Sequence, residues 1–304
     1  MRRVLNPTPS DSIQCVSYQS GNLAVGSWDN VVRVYQLSSM SQIAQCDALA
    51  TPFCVLLQQS FVYVGCSDGC LYRFDISSLQ YSKLCKFAGP VRTLHQFNQH
   101  LVLTTLACEL VVFDTKSNQP VLTEMLSQRV FCSSLINSKL LLCLAGRQIL
   151  EYKIDSKMNQ PILNKLSQTE SSLRHQTRSC LMLTDGRKAI ASVEGRVAIE
   201  GTDPFAFRAH KTQNEEEITS YPVHSLQQYK QYLLTASQDG YIYFWDLQQR
   251  KKVYKIQESY SIAQIIVCDE YLVVCKSYCW ENRAQGRDKE EIEIAVYNMK
   301  EFGL

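Results

Sequence analysis

Apolar and polar positions alternate along most of the chain, in short runs separated by tight polar turns. Asn22-Leu23-Ala24-Val25-Gly26 leads into Ser27-Trp28-Asp29-Asn30, and that turn leads into Val31-Val32-Arg33-Val34-Tyr35. The same arrangement recurs at Ser67-Asp68-Gly69-Cys70-Leu71-Tyr72-Arg73-Phe74-Asp75 and at Ser237-Gln238-Asp239-Gly240-Tyr241-Ile242-Tyr243-Phe244-Trp245-Asp246. A period of two is the mark of a half-buried strand, and Asp-Gly or Asp-Asn between two such runs is a strong hairpin signal. Asp29 and Asp68 are 39 residues apart. Two further steps of that length reach Ala107, before Glu109–Asp114, and Gly146, before Gln148–Tyr152. Later turns fall at Glu194-Gly195 and Asp239-Gly240, and a last stretched copy runs from Tyr271 to Tyr297 across a charged loop at Glu281–Glu290. No stretch carries a capped helical period, so each unit is predicted to be strands only.

Seven units of about 40 residues, with one Trp-Asp ending an alternating strand, predict an all-β, seven-bladed WD-repeat β-propeller. A four-stranded blade cannot cover both of its own faces, so blades must stack in a ring. The expectation is one domain over residues 1–304, with residues 2–5 closing the last blade as its outer strand.

Composition narrows the classes. Hydrophobic residues make up 45% and charged residues 20% of the 304, enough for a sizeable core and too little charge for a disordered chain. Thirty-one basic against 29 acidic residues argues against holding duplex nucleic acid by bulk charge. No window approaches the roughly 18 apolar residues of a membrane span, and Met1–Pro7 holds no apolar run of signal-peptide length. The expectation is a protein neither secreted nor inserted in a membrane. Thirteen cysteines lie scattered through the apolar runs; Cys66/Cys70 and Cys275/Cys279 lack the spacing and histidine company of a zinc site. They are expected to be reduced core thiols, with no metal.

Little in the chain looks catalytic. Asp29, Asp68 and Asp239 suit turns in which a short carboxylate binds backbone amides. There is no nucleophile elbow, phosphate-cradling glycine loop or His-Glu-x-x-His, and the five histidines are scattered over several blades. The expectation is no enzyme and no cofactor. The fifth unit stands apart: Arg196 follows a turn glycine, and Arg208, His210 and Lys211 follow an alternating strand. Such a group offers forked donors to a carboxylate or phosphate, unless these are solvated charges or inter-blade ion pairs.

Ser192–Glu200 (Ser-Val-Glu-Gly-Arg-Val-Ala-Ile-Glu) and Phe205–Lys211 (Phe-Ala-Phe-Arg-Ala-His-Lys) resemble motifs of the Bub/Rae family of WD-repeat proteins, in its mitotic-checkpoint branch. Ser27-Trp28-Asp29, Ala145-Gly146-Arg147, Ser171–Arg178, Tyr221-Pro222-Val223 and Val4-Leu5-Asn6 extend the resemblance over all seven blades. It implies a non-enzymatic spindle assembly checkpoint adaptor, found in the nucleus, at kinetochores in mitosis and otherwise in the cytoplasm. Its partners would be a checkpoint kinase or pseudokinase, bound through a short segment, and an outer-kinetochore scaffold phosphorylated on Met-Glu-Leu-Thr motifs. By the resemblance, Trp28 and Arg196 touch the kinase-derived segment and Arg208 binds phosphothreonine, with Lys211 and Lys230 as further candidates. One departure is Thr105-Leu106-Ala107, where the family pattern has a second Ser-Trp-Asp. The alternative is the mRNA-export branch, which binds a pore protein and RNA. It shares Glu-Gly-Arg-Val-Ala-Ile, and Ser277-Tyr278-Cys279-Trp280 is similar to it; the near-neutral charge offers little for an RNA groove.

Overall fold

The computed structural model describes residues 2–157, 160–213, 218–279 and 291–303. The alternating runs pair into seven four-stranded antiparallel sheets. Blade 1 is Ile13–Gln19, Asn22–Ser27, Val31–Gln36 and Ser41–Asp47, each strand paired with the next. Blades 2, 3, 4, 5 and 6 begin with Pro52–Gln58, Val91–Phe97, Val130–Ile136, Thr177–Met182 and Val223–Tyr229. Blade 7 takes Ile262–Cys268, Tyr271–Lys276 and Glu293–Asn298 from one end of the chain and Arg3–Val4 from the other. In it Arg3 lies opposite Val296 and Val4 opposite Ala295, and the Leu5 amide donates to the Ile294 carbonyl at 2.9 Å.

The first strand of every blade touches the first strands of the blades on either side, and blade 7 touches blade 1, so seven inner strands form a closed ring. The period of two explains how it is filled. Along His100–Thr105, Leu101 and Leu103 face a core shared with blade 2, while Val102 faces a core shared with blade 4. Seven such cores, one per gap between blades, account for the buried apolar side chains. Second strands are therefore nearly all buried, whereas outer strands such as Gln119–Met125 are largely exposed. The fold is a seven-bladed WD40 β-propeller. Among the described residues the departures from strand and turn are two short 3-10 segments, Ala145–Arg147 and Met299–Phe302.

One feature differs from the sequence expectation. The connection from blade 5 to blade 6 carries an extra hairpin, Lys211–Gln213 paired with Ile218–Ser220. The acidic run Glu215–Glu217, the charged loop Glu281–Glu290 and Trp280 lie outside the described residues. All thirteen cysteines are unbridged, and each is buried or half-buried.

Candidate functional site

Successive turns of an antiparallel sheet alternate between its two edges. The turn between second and third strands therefore shares an edge with the connection to the next blade, and together these turns make one face of the ring. Asp29, Asp68 and Asp239 sit in such turns, each accepting from the amide two residues on: Val31 at 3.0 Å, Cys70 at 2.9 Å and Tyr241 at 3.0 Å. Each carboxylate then ties the turn to something further away. Asp29 pairs with Arg33 at 2.8 Å and accepts from the Ser10 amide at 2.9 Å and the Ser27 hydroxyl. Burial alone would raise its pKa, but those donors outweigh it and bring Asp29 down to about 2. In blade 3 the turn Asp is absent, and Glu109 supplies a carboxylate there, accepting from Thr105 Oγ1 at 2.7 Å and from the Ala88 amide at 3.3 Å.

His210 stands apart from its basic neighbours. It is fully buried, with Nδ1 2.9 Å from Asp239 and Nε2 2.8 Å from Thr235 Oγ1, which also accepts from Trp245 Nε1 at 3.0 Å. The side chain grouped by sequence with Arg208 and Lys211 is thus a staple from the connector onto blade 6. Gly195 completes the joint. Its carbonyl accepts from the amides of Ala209 at 2.8 Å and His210 at 3.1 Å. Its φ is +74° and a Cβ there would lie 2.3 Å from the His210 carbonyl oxygen, so only glycine fits.

That joint positions two arginines. Arg196 opens the strand Arg196–Glu200, Arg208 ends Phe205–Arg208, and the two are cross-strand partners. Directly opposed residues have Cβ atoms about 5 Å apart, and like charges so placed repel. Among the described residues neither guanidinium has a carboxylate or other hydrogen-bond partner. Lys211 starts the connector hairpin on the same edge.

Trp28 lies on the same face but in blade 1, across the ring from blade 5. It is 36% exposed, rests against Phe53 with ring centroids 6.0 Å apart, and donates to Gln14 Oε1 at 3.0 Å. Together with Leu106 and Phe131 it lines the mouth of a central cavity of about 700 Å³. Lys230 does not join the arginines. It occupies the hairpin between the first two strands of blade 6, Val223–Tyr229 and Tyr232–Ser237, and so the opposite face, with its ammonium 5.0 Å from the Tyr229 ring centroid. The resemblance named it as a further phosphate-binding candidate; counting strands places it at the other end of the sheet.

Inside the cavity the walls are the inner strands. His95 donates to or accepts from Ser133 Oγ at 2.7 Å, and burial lowers its pKa to about 4, so it is neutral at pH 7. Beside it, Cys132, Cys143 and Cys180 gather with their sulfurs all within 4.8 Å of one another, a cluster that no sequence spacing announces. Thiol hydrogen bonds from Cys143 and Cys180 hold the Cys132 thiol well below its ordinary range despite burial, aided by the charges of Arg92 and Arg178. Cys132 and Cys143 are cross-strand partners within blade 4, and the meeting of the inner strands of blades 4 and 5 adds Cys180.

Comparison with known proteins agrees with this architecture. The family model described as "WD domain, G-beta repeat" matches residues 2–36 and 207–246. The second match begins in an outer strand and ends on Trp245-Asp246, spanning the His210–Asp239–Thr235–Trp245 chain. Protein Rae1 of Drosophila melanogaster is 26% identical, with 81% of this chain and 78% of that one covered. The mRNA export factor of Macaca fascicularis is 29% identical, covering 81% and 74%. Mitotic checkpoint protein BUB3.1 of Arabidopsis thaliana is 26% identical, covering 98% and 93%. A solved structure titled "Structure of U3-55K" superposes with a TM-score of 0.83 over 98% of both chains at 12% identity, a likeness of fold alone. The chain thus carries two matches to the WD40 repeat and is similar in sequence both to mRNA export factors and to a mitotic checkpoint protein.

Proposed function

We propose that this WD40-repeat propeller, homologous to both mRNA export and mitotic checkpoint proteins, is a non-enzymatic adaptor that captures phosphorylated peptide segments on the face bearing Trp28, Arg196 and Arg208. The observation that carries the reading is the register pairing of Arg196 with Arg208. Two guanidiniums held opposite each other, with no carboxylate between them among the described residues, are relieved by an anion that takes charge-assisted bonds from both. A phosphothreonine near −2 meets that requirement. Trp28, half-exposed at the cavity mouth, offers a rigid aromatic anchor to a second segment. Blades 1 and 5 are too far apart in the ring for one short side chain to bridge, which favours two ligands or one extended chain across the face.

On this reading the phosphorylated ligand is a Met-Glu-Leu-phosphothreonine motif of a kinetochore scaffold, and the Trp28 surface docks a checkpoint kinase segment. The near-complete span of the match to the Arabidopsis checkpoint protein supports it. The mRNA-export reading is favoured by a different observation, the export factors at up to 29% identity. The replacement of a family tryptophan by Leu106 leaves the cavity mouth with less aromatic surface and weakens the kinase-segment arm first.

The test is a titration of the protein with Met-Glu-Leu-phosphothreonine peptide, its unphosphorylated form and a short single-stranded RNA at physiological salt. Phosphate-dependent binding is expected, with Arg208→Ala weakening it by about tenfold to a hundredfold, the worth of charged hydrogen bonds. Lys230→Ala is expected to bind like the parent. RNA binding indifferent to phosphate establishes the export reading instead.

A further inference from the structure

The inner strands repeat one position. In blade 1 Cys15 faces Gly26, and in blade 2 Cys54 faces Gly65. There a Cβ on the glycine would come within 2.7 Å and 2.6 Å of the thiol sulfur, so each cysteine fills the space a glycine leaves. In blade 3 the pair is Thr93 and Thr104, hydroxyl to hydroxyl at 2.8 Å. In blade 4 the pair is Cys132 and Cys143, a thiol facing a thiol. Cys180, from the inner strand of blade 5, closes the triangle. In blade 4 this position brings two thiols face to face, and Cys180, one residue beyond the equivalent position in blade 5, adds the third sulfur.

Their geometry is that of a ligand set. An ion about 2.3 Å from each of three sulfurs requires sulfur–sulfur separations of about 4 Å, and the three lie within 4.8 Å of one another. Cys132 and Cys180 line the central cavity, which gives an ion a way in, while Cys143 is buried behind them. Leu141, Ile149, Met182 and Ile190 pack around the group, so it is dry on its far side. Among the described residues no histidine, carboxylate or fourth thiol joins the triangle. Soft thiolates select Cu(I) and zinc, and zinc calls for four ligands. Arg92, whose Nε donates to the Phe131 carbonyl at 3.0 Å, and Arg178 border the same cavity wall and offset anionic charge on the sulfurs.

We propose that Cys132, Cys143 and Cys180 form a trigonal site for a single Cu(I) ion between blades 4 and 5, reached through the central cavity. Binding replaces three thiol protons by one Cu(I), giving a trithiolate complex of charge −2 and three protons released to solvent. No oxidation state changes.

The experiment titrates the full-length reduced protein anaerobically with Cu(I) against bicinchoninate and follows the bound ion by X-ray absorption. One tight equivalent is expected, in a shell of three sulfurs at about 2.3 Å, and excess Zn(II) should leave it in place. Cys132→Ser, on the cavity wall, should weaken binding by roughly 100-fold or more, as should Cys180→Ser, both with the parent's melting behaviour. Cys54→Ser, the same register position in blade 2, should retain the tight equivalent. Equal affinity in the parent and Cys132→Ser, a two-sulfur shell, or loss of the site in Cys54→Ser overturns the proposal. Displacement by zinc overturns the choice of ion.

Discussion

At Asp29, one carboxylate closes a turn, pairs with Arg33 and holds the segment around Ser10, and its side chain is only 7% exposed. Its pKa of about 2 lies below the unfolded value near 3.8. A group depressed in this way contributes stability fully present above about pH 4 and lost as pH falls through about 2. A depression of that size is worth about 2 kcal/mol. Asp29→Asn is therefore expected to lose about that much in urea unfolding at pH 7, with the gap to the parent closing as pH approaches 2. A gap independent of pH would place the loss in turn geometry and not in charge. The turn role of Asp29, Asp68 and Asp239 was legible in sequence because the amide each binds lies two residues along. Glu109 was not: its carboxylate reaches the same edge from two positions beyond the usual aspartate, which spacing does not reveal. For His210 the sequence left an anion-binding group and an inter-blade ion pair both open, since its partners Asp239 and Thr235 belong to the next blade.

At the scale of elements, the connector from blade 5 to blade 6 is held by Gly195 and His210, and it sets where Arg208 stands relative to Arg196. His210→Ala leaves Asp239, itself 3% exposed, without its buried donor. Removing one partner of such a pair costs about 2–4 kcal/mol. Thermal and urea melts of His210→Ala, Asp239→Asn and the double variant should show the second substitution costing less than it does alone; strict additivity would mean the two side chains act independently. Gly195→Ala attacks the same joint from the backbone. A left-handed φ and a clash with the His210 carbonyl predict a loss of about 2 kcal/mol or more. Because Arg196 follows directly, phosphopeptide affinity should fall with it; retained affinity in a destabilised variant would show that the arginines do not depend on the connector. Strand pairing was readable from alternation and turn spacing. The extra hairpin after Arg208 and the meeting of Cys132 with Cys180 were not, because local pattern says nothing of which blades face each other.

At the scale of the whole molecule, the ring has seven blades, and the last is completed by an outer strand of two residues, Arg3–Val4. So short a ladder supplies few hydrogen bonds, and side chains carry much of the closure. Leu5, fully buried, belongs to the core between blades 7 and 1. Lys276, 4% exposed at its side chain, lies 3.0 Å from Glu258 and 2.8 Å from Glu293, and Arg2 adds a second cation to both carboxylates. The cluster joins the end of blade 6, two strands of blade 7 and the N-terminal strand. Burial separates the weights of its two cations. Arg2 is 37% exposed at its side chain, so water screens it and Arg2→Ala should cost no more than about 1 kcal/mol. Lys276→Ala takes the buried cation from two carboxylates, one of them as buried as the lysine, and leaves them only the exposed Arg2, so it should cost about 3 kcal/mol. The route of the loss also matters. A ring that unfolds as one unit keeps its urea m-value in Lys276→Ala and shows a single lower midpoint. If closure is a separate event, hydrogen exchange in Tyr271–Lys276 and Glu293–Asn298 accelerates while blades 2 to 5 stay protected. With each blade's core shared with its neighbours, the single transition is the expected result. Selective exchange in blade 7 would show that the N-terminal strand latches a ring already folded without it.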